Sequence, residues 1–322
     1  MATGNQGSFT LYDNQYRSGF VEVLAQALKV FNANSANCLV QRSNIHVGEY
    51  DRNTFWQDDG NVSRRDPEVT TAQTPTGFND AERIAPKLFR KLDLRAQTSS
   101  SWRMIGGTDQ EISFILGQQD AKHVLRDRLR TAIRPLVAAI KGVAAYHFDG
   151  TAGTMTNDRL IAGLSLMGDR TPDIACLVMH SKVYYNLVRN QVSDKLTGMS
   201  DLVVYGANPA TYDRPTVVTD EPALISTTSA ATTYYTLGLV PGAAIVEESE
   251  AMNTLMDRVG GGENIVIQKQ SEWADTVKLK GFAWNIAGGG ANPVDAALAT
   301  TSNWTKVVAD DKDTAGVLIE TL

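Results

Sequence analysis

The most regular pattern of hydrophobic positions lies between Gln118 and Phe148. Apolar side chains recur there at intervals of three and four residues with charged side chains between them, which is typical of an amphipathic helix. The apolar positions are Leu125, Leu129, Ile133, Leu136, Ile140 and Val143. We expect Pro135 to kink this helix or to begin a second segment, because a proline inside a helix removes one hydrogen bond. The turn-forming residues 148–150 are predicted to end it.

A second amphipathic helix is predicted from Asp13 to Phe31. Its apolar positions include Phe20 and Leu24 and follow the same spacing. The turn-rich residues 32–37 come directly after it. Because its apolar stripe must be covered, we expect a helical arm that docks either on its own subunit or on a neighbouring subunit, and Phe20 and Leu24 are its candidate residues for the subunit interface. The spacing of the apolar residues does not distinguish docking within the subunit from docking on a neighbour.

Residues 44–97 contain no hydrophobic pattern that could form a core of its own. Ile45 to Tyr50 and Val69 to Thr74 are compatible with strands, and acidic and proline turns interrupt the stretch. The acidic turn at residues 58–61, with extended segments on both sides, predicts a long two-stranded excursion. Alone, such a hairpin would be marginally stable in water. Long segments of this kind are usually functional or covered by a partner.

We therefore predict that neighbouring subunits cover this excursion. Arg52, Trp56 and Arg64 lie within it and are the expected contact residues. Tryptophan and arginine are favoured at protein interfaces, although packing in the core is an equally good explanation for Trp56.

Residues 151–264 alternate between helical and strand patterns, which predicts a compact α/β lobe. Helices are expected from Asn157 to Met167 and from Ser181 to Val192, with Ser181 as the N-cap of the second. Strands are predicted at Ile174 to Met179, Leu202 to Tyr205, Thr216 to Thr219, Tyr234 to Leu239 and Ala243 to Glu247.

Two further strands are predicted after the triple glycine at residues 260–262. They run from Ile265 to Gln270 and from Asp275 to Asn285, and are joined around Glu272 and Trp273. A second triple glycine follows at residues 288–290. A last extended piece, Ala315 to Glu320, is expected near the C-terminus.

Length and composition narrow the possible classes of protein but do not identify one. A chain of 322 residues exceeds the usual size of one core, so two lobes, or one lobe with long extensions, are expected. No apolar run is long enough to span a bilayer, and no signal peptide precedes the first helix, so we expect a protein made in a reducing cytoplasm with no membrane contact. Cys38 and Cys176 are therefore expected to be buried free thiols.

The charge is uneven along the chain. Residues 1–150 contain 18 Lys and Arg against 16 Asp and Glu, whereas the rest contains 12 against 20. This distribution argues against a dedicated nucleic-acid binder, which would have a dense basic patch. It is compatible with a protein that presents different faces to different surroundings.

No catalytic constellation is evident, so we expect neither an active site, nor a cofactor, nor a metal. The four histidines lie in different segments without the spacing of a zinc helix, and the glycine runs lack the setting of a dinucleotide site. Neighbouring carboxylates occur in polar stretches, where solvated surface groups are the usual explanation. They are Asp58 with Asp59, Glu247 with Glu248, and Asp310 with Asp311. Core packing is the expected role of Trp284.

The order of these parts resembles the major capsid proteins of tailed bacteriophages that share the Hong Kong 97-type fold. Residues 180–187, His-Ser-Lys-Val-Tyr-Tyr-Asn-Leu, are similar to the strand-to-helix segment of the axial domain in that family. The tail from Asn303-Trp304-Thr305-Lys306 to Ala315-Gly316-Val317 is similar to phage coat proteins. The resemblance implies an α+β fold with an N-terminal arm, an extended β-hairpin loop, a peripheral domain with a long spine helix, and an α/β axial domain.

Domain boundaries follow from this resemblance. It implies an arm at residues 1–43, an extended loop at 44–97, a peripheral domain at 98–150 and 265–322, and an axial domain at 151–264. The implied function is self-assembly, as hexamers and pentamers, into an icosahedral virion head that encloses double-stranded DNA and is built in the host bacterial cytoplasm. Many modest contacts then add up to a closed shell. Movement of the kinked spine helix and the loop during shell expansion is a further expectation from the family.

The resemblance also implies partners beyond the subunit itself. They are a portal, cement proteins, and packaged DNA that is contacted without sequence specificity. Because no charged helical segment precedes the arm, we expect either a separate scaffolding protein or prior cleavage. No Lys and Asn pair for a covalent crosslink is identified.

Three alternatives remain at this point. The first is an encapsulin-like compartment of the same fold, which would contain protein cargo in place of DNA. The second is a cytosolic α/β enzyme whose site is assembled from scattered residues. The third is a minor shell or tail component, which would differ in its copy number per particle.

Overall fold

The computed structural model describes residues 6–57, 62, 64–72, 75, 77–98, 109–198, 214–227, 231–260 and 262–322. Its helices are α1 (Gln6–Asn34), α2 (Asp109–Lys141), α3 (Asn157–Leu164), α4 (Ser181–Gly198), α5 (Ile286–Gly289) and α6 (Asp295–Leu298). Its first seven strands are β1 (Leu39–Ser43), β2 (Tyr50–Trp56), β3 (Asp80–Thr98), β4 (His147–Gly150), β5 (Cys176–Met179), β6 (Thr216–Val218) and β7 (Ile225–Ser226). The others are β8 (Thr233–Leu239), β9 (Ala244–Val259), β10 (Val266–Leu279), β11 (Phe282–Trp284), β12 (Trp304–Lys306) and β13 (Gly316–Thr321).

The strands form two main sheets and one small one. The first main sheet has the order β1-β9-β10-β3-β2. The second has the order β4-β13-β8-β5-β6, with β7 also paired to β8, and β11 pairs with β12. Helices and sheets are both extensive, so the predicted α+β class is confirmed.

Helix α2 is the long helix that the sequence predicts, but its bounds differ. It begins at Asp109, nine residues before Gln118, and ends at Lys141, before the predicted end at residues 148–150. Pro135 lies inside one continuous helix. The predicted helix end is wrong because residues 147–150 form β4, whose parallel pairing with β13 satisfies their backbone groups in a sheet.

Helix α1 packs along α2 through two glycines. A Cβ at Gly19 would lie 2.6 Å from the carbonyl oxygen of Phe114, and a Cβ at Gly117 would collide with the backbone of Tyr16. These glycines allow the two helix backbones to approach closely. The Tyr16 hydroxyl also donates to Asp120 Oδ2 on α2 at 2.9 Å. The first helix therefore docks on its own subunit.

Strand β3 corrects the expectation that residues 44–97 have no core. Ala85 and Leu88 are each 2% exposed, and Leu88 belongs to the main hydrophobic cluster. The second half of this strand pairs with β10 from Lys87 to Thr98, so it is a central strand of the first sheet. The strand proposed at residues 45–50 is not formed before Tyr50, and the described residues of 69–74 are not in a strand.

Strands β9 and β10 also differ from the prediction. The segment expected as two strands around Glu272 and Trp273 is one strand, Val266–Leu279, with irregularities in its pairing near this point. Trp273 is buried inside it. Strand β9 continues to Val259 and pairs with β10, so the first sheet takes in residues that the boundary at 264 assigns to the α/β lobe.

The second sheet and its helices form the α/β lobe. Helix α3 ends at Leu164 and passes into 3-10 turns over Ser165–Asp173, in place of a helix to Met167. The side chain of His180 precedes α4, and its Nδ1 accepts from the backbone N–H of Lys182 at 3.1 Å. His180 thus has the capping role predicted for Ser181. The strand predicted at Leu202 to Tyr205 lies outside the described residues.

One hydrophobic cluster connects the two main sheets. It includes Leu136 of α2, Leu39 of β1 and Ile319 of β13. Cys38 and Cys176 are both free and buried, as predicted. A hydrogen bond with the Cys176 thiol, and then burial, raise the pKa of the Cys38 thiol. Trp284 is buried against Trp304, with ring centroids 4.9 Å apart, which confirms its expected core role.

Candidate functional site

The antiparallel hairpin of β2 and β3 presents the largest exposed aromatic group on this part of the chain. Their register places Tyr50 opposite Pro86 and Trp56 opposite Asp80. Trp56 is 74% exposed and Phe78 is 86% exposed. Their rings meet edge to face with centroids 6.3 Å apart. An exposed aromatic pair of this kind is a candidate anchor for another protein surface.

Polar contacts fix the position of this hairpin. Arg52 Nε lies 2.6 Å from Glu82 Oε1 on the facing strand, and its guanidinium stacks over the Tyr50 ring at 5.3 Å. Gln57 Nε2 donates to the carbonyl oxygen of Val307 at 2.6 Å. The hairpin end is thereby held against the body of the same subunit.

The structure separates the predicted contact residues into two groups. Arg52 and Trp56 lie on the hairpin, and Arg64 is exposed beyond its β2 end. Phe20 is buried at 8% exposure, in a cluster with Ala121, Val124 and Trp273 of its own chain. Leu24 packs against the same cluster. Phe20 and Leu24 therefore contact α2 and β10 of their own subunit, which is the intrachain alternative that the spacing left open.

Sequence reasoning missed Phe78 and Gln57. Phe78 is an isolated aromatic residue in a polar stretch, and only the strand register brings it next to Trp56. Gln57 carries no signal in the sequence, because its partner Val307 is 250 positions away.

The candidate catalytic groups are used in structural contacts. Within the described ranges, no three His, Cys, Asp or Glu side chains are grouped so as to hold a metal ion. His147 Nε2 lies 3.1 Å from Glu320 Oε2, His180 Nε2 lies 3.5 Å from Asp220, and His46 Nε2 lies 3.3 Å from the Thr276 hydroxyl. Each of these three histidines thus has a different partner.

The neighbouring carboxylates also have structural partners. Glu247 is fully buried and accepts hydrogen bonds from Lys278 Nζ at 2.7 Å and Asn44 Nδ2 at 2.8 Å, and it also pairs with Arg42. Burial opposes its ionisation, but these three donors lower the pKa of Glu247 to about 2. Glu248 pairs with Arg128 at 3.1 Å. Asp310 caps a short 3-10 helix, whereas Asp58 and Asp59 lie outside the described residues.

No helix among the described residues is both long and apolar enough to cross a bilayer. Comparison with curated proteins finds no match. Comparison with solved structures finds phage capsids. The chain is similar to the cyanophage Pam1 capsid asymmetric unit, with a TM-score of 0.53, 12% identity, and coverage of 86% of this chain and 85% of that one. It is also similar to a structure titled Mycobacterium phage Bobi, with a TM-score of 0.51, 11% identity, and coverage of 90% and 89%. At these identities, the likeness shows the fold.

The family is shown by the sequence itself. The model of the family described as Gp13-like, major capsid protein 13-like, matches residues 8–318. This match runs from the third residue of α1 to the third residue of β13, the last strand. The chain therefore belongs to the Gp13-like family of major capsid proteins, and it is a structural component of a capsid.

Proposed function

We propose that the chain assembles as hexamers and pentamers into an icosahedral head shell that encloses double-stranded DNA. The observation that carries this proposal is the pair of Trp56 and Phe78, whose side chains the body of the subunit leaves exposed. Large aromatic side chains supply most of the binding energy at interfaces when a partner buries them. A second copy of the chain is the partner that a capsid subunit meets most often.

The hairpin is suited to a repeated contact. Arg52 lies on the same strand as Trp56 and is half exposed, and Arg64 is exposed eight positions after Trp56, so guanidinium groups precede and follow Trp56 along the chain. Interfaces commonly combine an aromatic centre with a polar rim. Each contact of this size is modest alone, but a closed shell repeats it in every subunit, so small free energies add up.

The proposed domain assignment follows the elements of the fold. We assign residues 1–43 to an arm, 44–97 to an extended loop, 98–150 and 265–322 to a peripheral domain built on α2, and 151–264 to an axial domain. Because β9 pairs with β10, the axial domain contributes strand β9 to the first main sheet. The expected partners besides the subunit itself are a scaffolding protein, a portal, cement proteins and packaged DNA.

Assembly of the purified full chain tests the proposal. Light scattering at increasing concentration, followed by negative-stain electron microscopy, should detect pentamers, hexamers or closed shells. A chain that stays monomeric at all concentrations would contradict self-assembly. Deletion of residues 54–66 should prevent shells while the lobe stays folded, and normal shells from that variant would exclude the loop as the contact. Particles isolated from infected cells should contain DNA, and protein cargo in its place would favour an encapsulin-like compartment.

A further inference from the structure

A basic cleft lies between β3 and α2, on a different surface from the aromatic pair. Its volume is about 380 Å³. Strand β3 contributes Arg90, Lys91 and Arg95, and helix α2 contributes His123, Arg126 and Arg130. Among the described residues that line it, the only carboxylates are Asp93 and Asp127. Cations therefore outnumber anions in this cleft, although the whole chain has a net charge of -6.

Part of this positive charge is not neutralised by any described residue of the subunit. Arg90 and Arg130 are engaged with Asp295 and Glu221, respectively, at 2.8 and 2.9 Å. In contrast, Arg126 has no ion pair or hydrogen bond with any described residue. Arg95 approaches Asp120 only to 4.0 Å.

Lys91 is also weakly held. Within the part of the chain that the structure describes, it pairs only with Asp93, at 3.5 Å, and both side chains are more than two thirds exposed. Exposed pairs of this kind contribute little and are readily exchanged for another anion.

The spacing of the α2 residues places them on one face of the helix. His123, Arg126 and Arg130 are separated by three and four residues, so their side chains follow one another on successive turns. The exposed Lys122 lies beside them. Because β3 runs across this face, cations from two elements point at the same space. An extended anion could contact several of them at once.

Among its described residues, the cleft offers charge without an exposed apolar anchor. Its apolar members are Val124 and Trp273, which are 2% and 5% exposed, and Leu92, which is partly buried, and all three pack in the cluster that holds α1. The centres of protein interfaces are depleted of charged residues and enriched in aromatic contacts. A phosphate chain needs no apolar contact, and guanidinium groups bind phosphate with paired hydrogen bonds. These features favour a nucleic-acid backbone over the surface of another subunit.

We infer that the cleft between β3 and α2 binds backbone phosphates of the packaged double-stranded DNA without reading its sequence. This inference rests on the proposed function, because it requires DNA inside the shell. The cleft also qualifies the conclusion from overall charge: the chain is not a dedicated nucleic-acid binder, yet one of its faces is locally basic. Its contacts would be salt-dependent, since each neutralised phosphate releases counterions.

The test compares Arg126→Glu with Lys29→Glu in the full-length protein. Both residues are exposed cations on helices, and Lys29 lies on α1, away from the cleft residues. Binding of a fluorescent duplex of about 20 base pairs is measured by anisotropy between about 50 and 200 mM salt, the range over which phosphate contacts weaken strongly. The same preparations are assembled without DNA and counted as shells by electron microscopy, and their unfolding temperatures are compared.

The wild-type chain and Lys29→Glu should bind the duplex equally. Arg126→Glu should bind more weakly, with a salt slope reduced by about 1, as expected for one lost phosphate contact. Arg126→Lys should restore most of the binding, since it restores the charge. All variants should assemble into shells. Unchanged DNA binding by Arg126→Glu, or no binding by the wild type, would overturn the inference.

Loss of shells with unchanged DNA binding would also overturn it and would instead place a second subunit on this face. Failure of the wild-type chain to form shells contradicts the proposed function and is recognised separately, because the DNA measurement uses unassembled subunits. If Arg126→Glu unfolds at a lower temperature, Arg126→Gln gives the same comparison without a reversed charge.

Discussion

Gly19 of α1 lies directly against Phe114 of α2, and a Cβ added at position 19 would be 2.6 Å from the Phe114 carbonyl oxygen. The backbone of α2 cannot retreat easily, because this helix packs against α1 on one side and the sheets on the other. The close approach is what brings Phe20 into contact with Ala121, Val124 and Trp273. The absence of a side chain at Gly19, together with that at Gly117, therefore allows the first helix to dock this closely.

The first prediction is that Gly19→Ala loosens α1. We expect a loss of about 1 to 3 kcal/mol, the usual cost of overpacking, despite the better helix propensity of alanine. Urea unfolding followed by tryptophan fluorescence measures it, since Trp273 lies beneath α1. Gly260→Ala is the control, because nothing lies within 4 Å of a Cβ at that position. Equal stability of Gly19→Ala and the wild type would show that the helices can shift apart at no cost.

The second prediction concerns acid stability and Glu247. Its pKa of about 2 in the folded chain lies below the ordinary value of 4.5, so folding favours the ionised form. This stabilisation is complete above about pH 4.5 and is lost as the pH falls towards 2. The shift corresponds to about 3 kcal/mol at most.

Glu247→Gln provides the matched comparison for this prediction. The variant should be less stable than the wild type at pH 7, because Lys278 then keeps only Asp51 as a carboxylate partner. The difference should shrink when urea unfolding is repeated at successively lower pH down to 3. A difference that stays constant with pH would mean that Glu247 titrates normally.

The contrast between the helices and the long strands explains how much the sequence could predict. Both long helices were recognisable because their apolar residues repeat at the helical period. In β9 and β10, buried positions are occupied by Glu247, Asp275 and Lys278, which pair with one another or with arginines. A buried ion pair looks like a surface position in a sequence, so the strand across Trp273 was divided into two.

Prediction of the candidate surfaces from the sequence is limited in a similar way. Arg52 and Trp56 could be selected from the sequence, because they lie in a polar stretch with few apolar residues. Phe78 could not, since its role depends on the register that places Trp56 opposite Asp80. The basic cleft was missed for the same reason: Arg95 and Arg126 are 31 positions apart and meet only because α2 packs across β3.

The third prediction concerns the connection between α2 and the α/β lobe. Glu221 is 4% exposed, accepts from Arg130 Nε at 2.9 Å and lies 3.7 Å from Arg134. Glu221→Gln should cost about 1.5 to 3 kcal/mol, since a hydrogen bond to a buried charge is lost. Hydrogen exchange of residues 222–226, which follow Glu221, should become faster.

Glu82→Gln is the control for this third prediction. Glu82 also pairs with an arginine, Arg52, but both side chains are more than a third exposed. Its substitution should change stability by less than about 0.5 kcal/mol. If the two variants lose the same amount of stability, burial of Glu221 is not what makes its contacts strong.

The fourth prediction separates folding from assembly at Trp56. Because this side chain is 74% exposed in the subunit, Trp56→Ala should change the free energy of unfolding by less than about 0.5 kcal/mol. If a second copy buries it, the same change should raise the concentration needed for shells by about tenfold or more, as for a central interface aromatic. Light scattering measures the assembly, and urea unfolding measures the stability.

Tyr185→Ala is the matched control for Trp56→Ala. Tyr185 is 68% exposed and meets another aromatic ring, Tyr184, at 5.7 Å, but it lies on α4 in the α/β lobe. Shells that form at the wild-type concentration from Tyr185→Ala, but not from Trp56→Ala, would locate the assembly contact on the hairpin. Normal assembly of Trp56→Ala would instead mean that the aromatic pair is dispensable. The backbone edge of β2 would then be the part of the hairpin to test, because β2 ends the order of its sheet and, among the described residues, only one of its edges is paired.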